Sequence, residues 1–175
     1  MEDVSKPLIA HTDPSLLINT EKFDFSQSDI DPNQLAHILA QTMIKANCFS
    51  LSAPQIGLPY RAFIIAGTPM ICCFNPVIVD QTTETEYLEE VCCSYPSLVL
   101  KKKRPKNIKV RYTQPNGEVI TRKLIGLSSR LFQHELDHLN GVPFHSGHTR
   151  LSLEIAFRKA KAAGHHYKHS DFKGE

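Results

Sequence analysis

Gln133-His134-Glu135-Leu136-Asp137-His138 is the stretch on which the reading of this chain turns. It falls inside a segment from about Ser128 to Leu139 that has helical character and is stopped by Asn140-Gly141-Val142-Pro143. On a helix, imidazoles four residues apart share one face, one turn above the other, so two nitrogens can reach a single tetrahedral metal. Glu135, beside the first histidine, is then placed to hold a water at that metal and take its proton. The competing reading is a helix with two ordinary histidines and exposed acids.

A third ligand decides between classes of metallohydrolase. Downstream, the extended zinc-protease pattern needs a histidine where Phe144 stands, with His145 one residue late. Met1, Met43 and Met70 all precede the helix, so the methionine turn that accompanies that pattern is excluded as well. Glu154 is a conceivable carboxylate ligand, although a solvated charge on its own helix is the simpler expectation. Upstream, Leu88-Glu89-Glu90-Val91-Cys92-Cys93-Ser94-Tyr95-Pro96 lies between strand-like segments, where a bend could turn one thiolate toward the helix. A Cys/His/His set with one open position suits catalysis rather than a closed structural site.

Working outward, Asp31-Pro32 supplies an N-cap and a first-turn proline for a helix through about Ala46, with Leu35, Ile38, Leu39 and Met43 along one face. Short β segments are expected over Arg61–Ala66, Met70–Asp80 with a break at Asn75-Pro76, Thr85–Leu88 and Ser97–Leu100. Asn107–Thr113 and Glu118–Leu124, joined by Gln114-Pro115-Asn116-Gly117, make the clearest hairpin. A third helix runs from about Arg150 to Ala163, before Gly164. This order predicts an α+β fold, with mixed or antiparallel sheets around the central His-bearing helix, rather than alternating βαβ units.

At 175 residues, one compact domain is expected, and 41% hydrophobic with 22% charged residues argues against a disordered or fibrous chain. No apolar run reaches the length of a membrane-spanning helix, and the first residues lack the pattern of a secretory signal, so a cytoplasmic protein is expected. Cys48, Cys72, Cys73, Cys92 and Cys93 are odd in number and include two adjacent pairs, which fits reduced thiols better than structural disulfides. The net charge of +2 is too small to indicate a nucleic-acid binder by itself, but from Arg150 onward six Lys/Arg face three Asp/Glu. The positive excess lies in the C-terminal tail.

The chain resembles the peptide deformylases. Their three motifs, G-φ-G-L-A-A-x-Q (φ apolar), E-G-C-L-S and Q-H-E-x-D-H, are matched in order by Cys48-Phe49-Ser50-Leu51-Ser52-Ala53-Pro54-Gln55, Glu90-Val91-Cys92-Cys93-Ser94 and Gln133-His134-Glu135-Leu136-Asp137-His138. The likeness covers about Pro7 to Phe144, including Ile56-Gly57, Phe74-Asn75-Pro76 and Asn116-Gly117 between the motifs. It implies removal of formyl from the N-terminal methionine of nascent polypeptides, with Fe²⁺ as cofactor and Zn²⁺ or Ni²⁺ as substitutes. It further implies Cys92, His134 and His138 as metal ligands, Glu135 as general acid/base, and the Gln55 amide with the main-chain N–H of Cys93 as oxyanion donors. A monomer is expected, and by the same resemblance the basic C-terminal helix implies contact with the ribosome. The catalytic domain is then 1–149, with 150–175 an extension of it.

Departures from the pattern bear on substrate. Cys48 and Ser50 replace the glycines of the first motif and Val91 that of the second, so Ser50, Leu51 and Val91 become candidate substrate-binding positions. Cys93 replaces the motif leucine, which adds alternative ligation or redox sensitivity to its main-chain role. Arg130, one turn before His134, stands where an apolar wall of the methionine pocket is expected. Its guanidinium either selects a polar or acidic first residue, or reaches water while its aliphatic stem lines the wall. Asp137 either orients a neighbouring group or is a surface carboxylate. Lys101-Lys102-Lys103-Arg104 reads as a solvated loop, with an RNA or ribosome contact as the sharper alternative. In the terminal helix, Leu151 and Ile155 mark the apolar side, while Arg158, Lys159 and Lys161 lie elsewhere. The rival functions are a metallo-amidase or peptidase acting on non-formyl substrates, and a non-catalytic ribosome-associated metal-binding module.

Overall fold

The computed structural model describes residues 2–172; Met1 and residues 173–175, the end of the expected basic tail, lie outside the described residues. Helix α1 (Pro32–Lys45) precedes seven strands, and α2 (Gly126–Leu139) and α3 (Arg150–Ala162) follow them. The strands are β1 (Ser50–Ser52), β2 (Ala62–Ile65), β3 (Ile71–Gln81), β4 (Thr85–Cys92), β5 (Tyr95–Pro105), β6 (Asn107–Thr113) and β7 (Val119–Ile125). Five form a sheet in the order β1-β2-β3-β6-β7, and β4 and β5 form a separate two-stranded sheet. All described pairings are antiparallel, so the chain is α+β as expected.

Side-chain alternation explains the layers. On β2, Ala62 and Ile64 face Leu35, Ile38, Leu39 and Met43 of α1, while Phe63 and Ile65 face the opposite core with Phe132 and Leu139 of α2. Both faces are covered, which is why this strand is apolar throughout. β6 alternates instead, burying Ile108, Val110 and Tyr112 and leaving Lys109 and Arg111 exposed. Phe63 and Phe132 meet edge to face at 5.0 Å, seating α2 on the sheet.

The ends of the helices follow local chemistry. The Asp31 side chain accepts from the N–H groups of Asn33 and Gln34, with Pro32 in the first turn of α1. After α2 the chain turns at Gly141 with φ of 68°, where a Cβ would lie 2.5 Å from the Leu17 carbonyl oxygen. Glycine is required there by both conformation and space.

Several expected boundaries change. Met70–Asp80 is one strand, not two: Asn75 takes a φ of 50° within a register shift, and its amide exchanges hydrogen bonds with the Phe23 N–H (2.7 Å) and carbonyl (2.9 Å). The two short segments around Cys92 are the ends of a long hairpin. Lys101–Arg104 lies in β5 rather than in a solvated loop, with Lys101 and Lys103 outward, Lys102 half-buried and Arg104 buried. On α3, Leu153, Ala156, Phe157 and Ala160 face inward, and Leu151 and Ile155 point to solvent, the reverse of the expected face. Leu153, Ala156 and Phe157 pack with Tyr95, Leu98 and Leu100 of β5 and with Phe144.

Candidate active site

Helix α2 crosses between the two sheets and presents His134 and His138 one turn apart. Cys92 is the last residue of β4, just before the Cys93-Ser94 turn, where the register shifts and Cys92 pairs with Tyr95. The turn brings its thiol to the helix: Cys92 Sγ lies 3.2 Å from His138 Nε2, and ligand atoms from Cys92, His134 and His138 all fall within 4.8 Å of one another. All three are buried. Burial drives the His138 pKa well down, assisted by positive charge on His134, Lys102 and Arg104. A neutral imidazole with a free lone pair is the form that binds metal, so one thiolate and two imidazoles in a shared buried space fit a divalent ion. Glu154 is elsewhere, paired with Arg150 at 3.4 Å and His169 at 3.3 Å.

Behind the histidines sits Glu90, a residue of the second motif with no separate role assigned from the sequence. Arg104 grips it with two bonds, Nε to Oε1 at 2.6 Å and Nη2 to Oε2 at 2.9 Å, and Arg130 Nη1 donates to Oε1 at 2.6 Å. His134 Nδ1 lies 3.2 Å from Oε2, which fixes that nitrogen as the donor and leaves Nε2 for a metal. Burial opposes the Glu90 charge, but hydrogen bonds from His134 and Arg104 outweigh it and hold the carboxyl well below the usual carboxylate range. Asp137 joins the network by accepting from Arg104 Nη1 at 2.9 Å, which supports an orienting role for it rather than that of an idle surface acid.

On the other side of the site, Glu135 is almost fully buried. Ser50 Oγ donates to its Oε1 at 2.6 Å, while Oε2 is buried with no partner. Burial raises the Glu135 pKa, against the lowering effects of the nearby His134 and of the Ser50 and Ser52 hydroxyls. Such a group is suited to holding and releasing a proton. Gln55 stands in a 3-10 turn, where its Oε1 accepts from the Ser52 N–H at 2.9 Å. That bond aims Nε2 at the hairpin turn, 3.4 Å from Cys92 Sγ, 3.2 Å from Cys93 Sγ and 3.0 Å from Ser94 Oγ. The amide donor therefore faces the metal-ligand cluster.

The expected substrate-binding positions separate. Ser50 faces Glu135, and Val91 is exposed on β4. Leu51 is fully buried in the core under α1, so its side chain lines no groove; only its backbone, on a strand paired on one side by β2, is near the site. Arg130 is also corrected. Its guanidinium neither enters a pocket nor reaches water: besides Glu90, it donates to the carbonyl oxygens of Lys102 at 3.0 Å and Glu86 at 2.9 Å. Sequence reasoning missed Glu90, Arg104 and Ser94, whose partners lie 14 to 44 residues away.

The polypeptide deformylase family model matches residues 5–152. The peptide deformylase of Thermotoga neapolitana is 40% identical over 105 residues, which span 59% of this chain and 64% of that relative's length. The peptide deformylase of Agrobacterium fabrum is 34% identical over 166 residues, covering 90% of this chain and 96% of the relative. Among solved structures, a peptide deformylase from Synechococcus elongatus in complex with actinonin superposes with a TM-score of 0.81 at 32% identity, over 89% of this chain and 86% of that one. A peptide deformylase from Legionella pneumophila does so at 0.82 and 26% identity, over 91% and 95%.

Proposed function

The chain belongs to the polypeptide deformylase family, and from that premise we propose that it removes the N-formyl group from the N-terminal methionine of nascent polypeptides and releases formate. The observation that carries this reading is the meeting of Cys92, His134 and His138 with a buried, half-satisfied Glu135 and the donor end of Gln55. In this proposal Cys92, His134 and His138 hold one divalent ion, Fe²⁺ natively, with Zn²⁺ or Ni²⁺ as substitutes; the ligand set suits all three. When bound, the ion supplies Lewis acidity to the formyl carbonyl and acidifies water.

The residues divide the remaining work. Glu135 accepts a proton from the attacking water and returns it to the departing amine nitrogen, so no net proton is consumed by the side chain. Gln55 Nε2 and the Cys93 main-chain N–H donate to the oxyanion as it forms, each worth on the order of 3 kcal/mol. Glu90 holds the His134 ring through Nδ1, and Arg104 and Arg130 hold Glu90. Ser50 and Val91, with the Leu51 backbone, border the bound peptide, and Arg130 serves that border from behind by fixing β4 and β5.

Residues 1–149 form the catalytic domain in this reading, and 150–175 extend it. The ribosome is the partner of that extension, a role supported by exposed Leu151 and Ile155 beside exposed Arg158, Lys159 and Lys161 on α3. The protein acts as a cytoplasmic monomer; free thiols at all five cysteines suit a reducing compartment, and no helix among the described residues is long and apolar enough to cross a membrane.

Formate release from formyl-Met peptides by anaerobically prepared Fe²⁺ enzyme tests the proposal, with Glu135→Ala as control. Substitution is expected to lower kcat roughly 10²- to 10⁴-fold with metal retained. Cleavage of internal peptide bonds without formate, or no reaction at full metal occupancy, would assign the chain to one of the rival functions.

A further inference from the structure

We propose that the Ser52 hydroxyl makes Ser52 a positioning residue for the oxyanion donor Gln55, an inference that rests on the deformylase reading. The motif matched by Cys48–Gln55 has alanine at this position, so the hydroxyl is a feature of this chain's own version of the site. Strand β1 ends at Ser52, which is fully buried, and Gln55 follows three residues later in the 3-10 turn. Ser52 gives Gln55 Oε1 two donors, its main-chain N–H at 2.9 Å and its Oγ at 3.0 Å.

The two ends of the amide are held unequally. At the hairpin end, Nε2 meets Ser94 Oγ at 3.0 Å, Cys93 Sγ at 3.2 Å and Cys92 Sγ at 3.4 Å, and protonated hydroxyls and thiols can each donate or accept. That end alone would tolerate the reversed amide. The Ser52 N–H only donates, so it admits an oxygen and rejects the NH₂ group, which fixes the polarity of the side chain. The hydroxyl adds a second bond to the same oxygen and restrains a terminal torsion that is otherwise broad. Two donors on the carbonyl also polarise the amide, which strengthens Nε2–H as a donor to an oxyanion as it develops. Ser52 thus acts through Gln55. The same hydroxyl also acts on the Glu135 carboxyl, so variants of Gln55 separate its two neighbours.

Ser52→Ala, the motif residue, is expected to lower kcat about five-fold with KM within about two-fold, the scale of one neutral hydrogen bond. Gln55→Leu is expected to lower kcat roughly 10²- to 10³-fold. Adding Ser52→Ala to Gln55→Leu should change kcat no further, because the hydroxyl then has no amide oxygen to hold. Independently of turnover, the Gln55 side-chain amide signals of ¹⁵N-labelled, Zn²⁺-loaded protein, assigned by their absence from Gln55→Leu, should move in Ser52→Ala. They should move less in Ser50→Ala, whose lost hydroxyl meets Glu135 instead.

Unchanged kcat in Ser52→Ala would overturn the proposal. So would an equal loss with and without the Gln55 amide, which would assign the hydroxyl to Glu135. Gln55 signals that stay in place in Ser52→Ala, or that move as far in Ser50→Ala, would refute the contact. If the wild type releases no formate, the deformylase reading fails by itself, and the amide signals then decide whether Ser52 holds Gln55.

Discussion

Two buried carboxylates flank the histidines of α2, Glu90 from β4 and Glu135 from α2 itself, and the two are treated in opposite ways. Glu90, behind the histidines, is saturated by Arg104, Arg130 and His134 and held ionised. Glu135, on the other side, meets only the hydroxyls of Ser50 and Ser52, with one oxygen lacking a hydrogen bond among the described residues and a pKa raised by burial. The first arrangement makes a fixed anchor and the second makes a group that can change state. Burial is common to both, so the count of donors is what separates scaffold from chemistry.

The sharpest way to break this contrast is to remove the charge from the anchor. Glu90→Gln leaves two buried guanidinium groups without their shared counter-charge, and a loss of about 3–5 kcal/mol of stability is expected from urea unfolding. Metal affinity should fall roughly 10- to 100-fold, because the glutamine amide offers one acceptor oxygen instead of two and His134 must compete for it with both arginines. Unchanged affinity would detach Glu90 from the metal site.

A smaller effect is expected from Arg130→Leu, which removes one of the two arginines and its ties to the Lys102 and Glu86 carbonyls. Stability should drop by about 1–3 kcal/mol. The ratio of kcat/KM for formyl-Met over polar formylated substrates should not move, because the guanidinium is committed to Glu90 and backbone. A gain in preference for formyl-Met would return that charge to the groove.

The mildest expected effect concerns a third buried group, this one without any donor or acceptor. Among the described residues neither ring nitrogen of His145 has a hydrogen-bond partner, its ring packs edge-on to Phe172 at 4.6 Å, and burial brings its pKa down from 6.5 to about 4. The unfolded chain therefore binds the extra proton first. This contribution to stability is complete above pH 6.5, declines as pH falls, and is exhausted near pH 4. Melting temperature should fall across that window, and by less in His145→Phe; equal slopes for the two proteins would remove His145 from the account.

The pattern of what the sequence conveys follows from distance along the chain. His134 and His138 are readable because a helix fixes their relation locally. A cysteine of the Leu88–Pro96 stretch is readable as a candidate ligand, but Cys92 is preferred over Cys93 only through its motif, since the approach to His138 spans 46 residues. Lys101–Arg104 reads as a solvated loop because four charges are adjacent, although alternate inward placement of Lys102 and Arg104 is the ordinary two-residue period of a strand. What turns Arg104 inward is Glu90 in β4 and Asp137 in α2, and neither is local to it. Leu153, Ala156, Phe157 and Ala160 form a full helical stripe, but Leu151 and Ile155, four residues apart, make a competing apolar pair, and packing against β5 decides between the two faces. Ser50 was noted as a lost glycine, and its partner could not be inferred from that loss.

The β4-β5 hairpin forms its ladder with itself alone, and it attaches to the five-stranded sheet without a shared strand. Its union with α2 runs instead through Cys92, Glu90, Arg104 and the backbone carbonyls held by Arg130. On its other face the hairpin packs Tyr95, Leu98 and Leu100 against Phe144 and α3, so it is held between two helices and contributes the one thiol of the candidate ligand set. In the proposed reading, an ion held by Cys92 from the hairpin and by His134 and His138 from α2 would favour the folded arrangement by mass action, and so would tie the two elements together as well as serve the reaction.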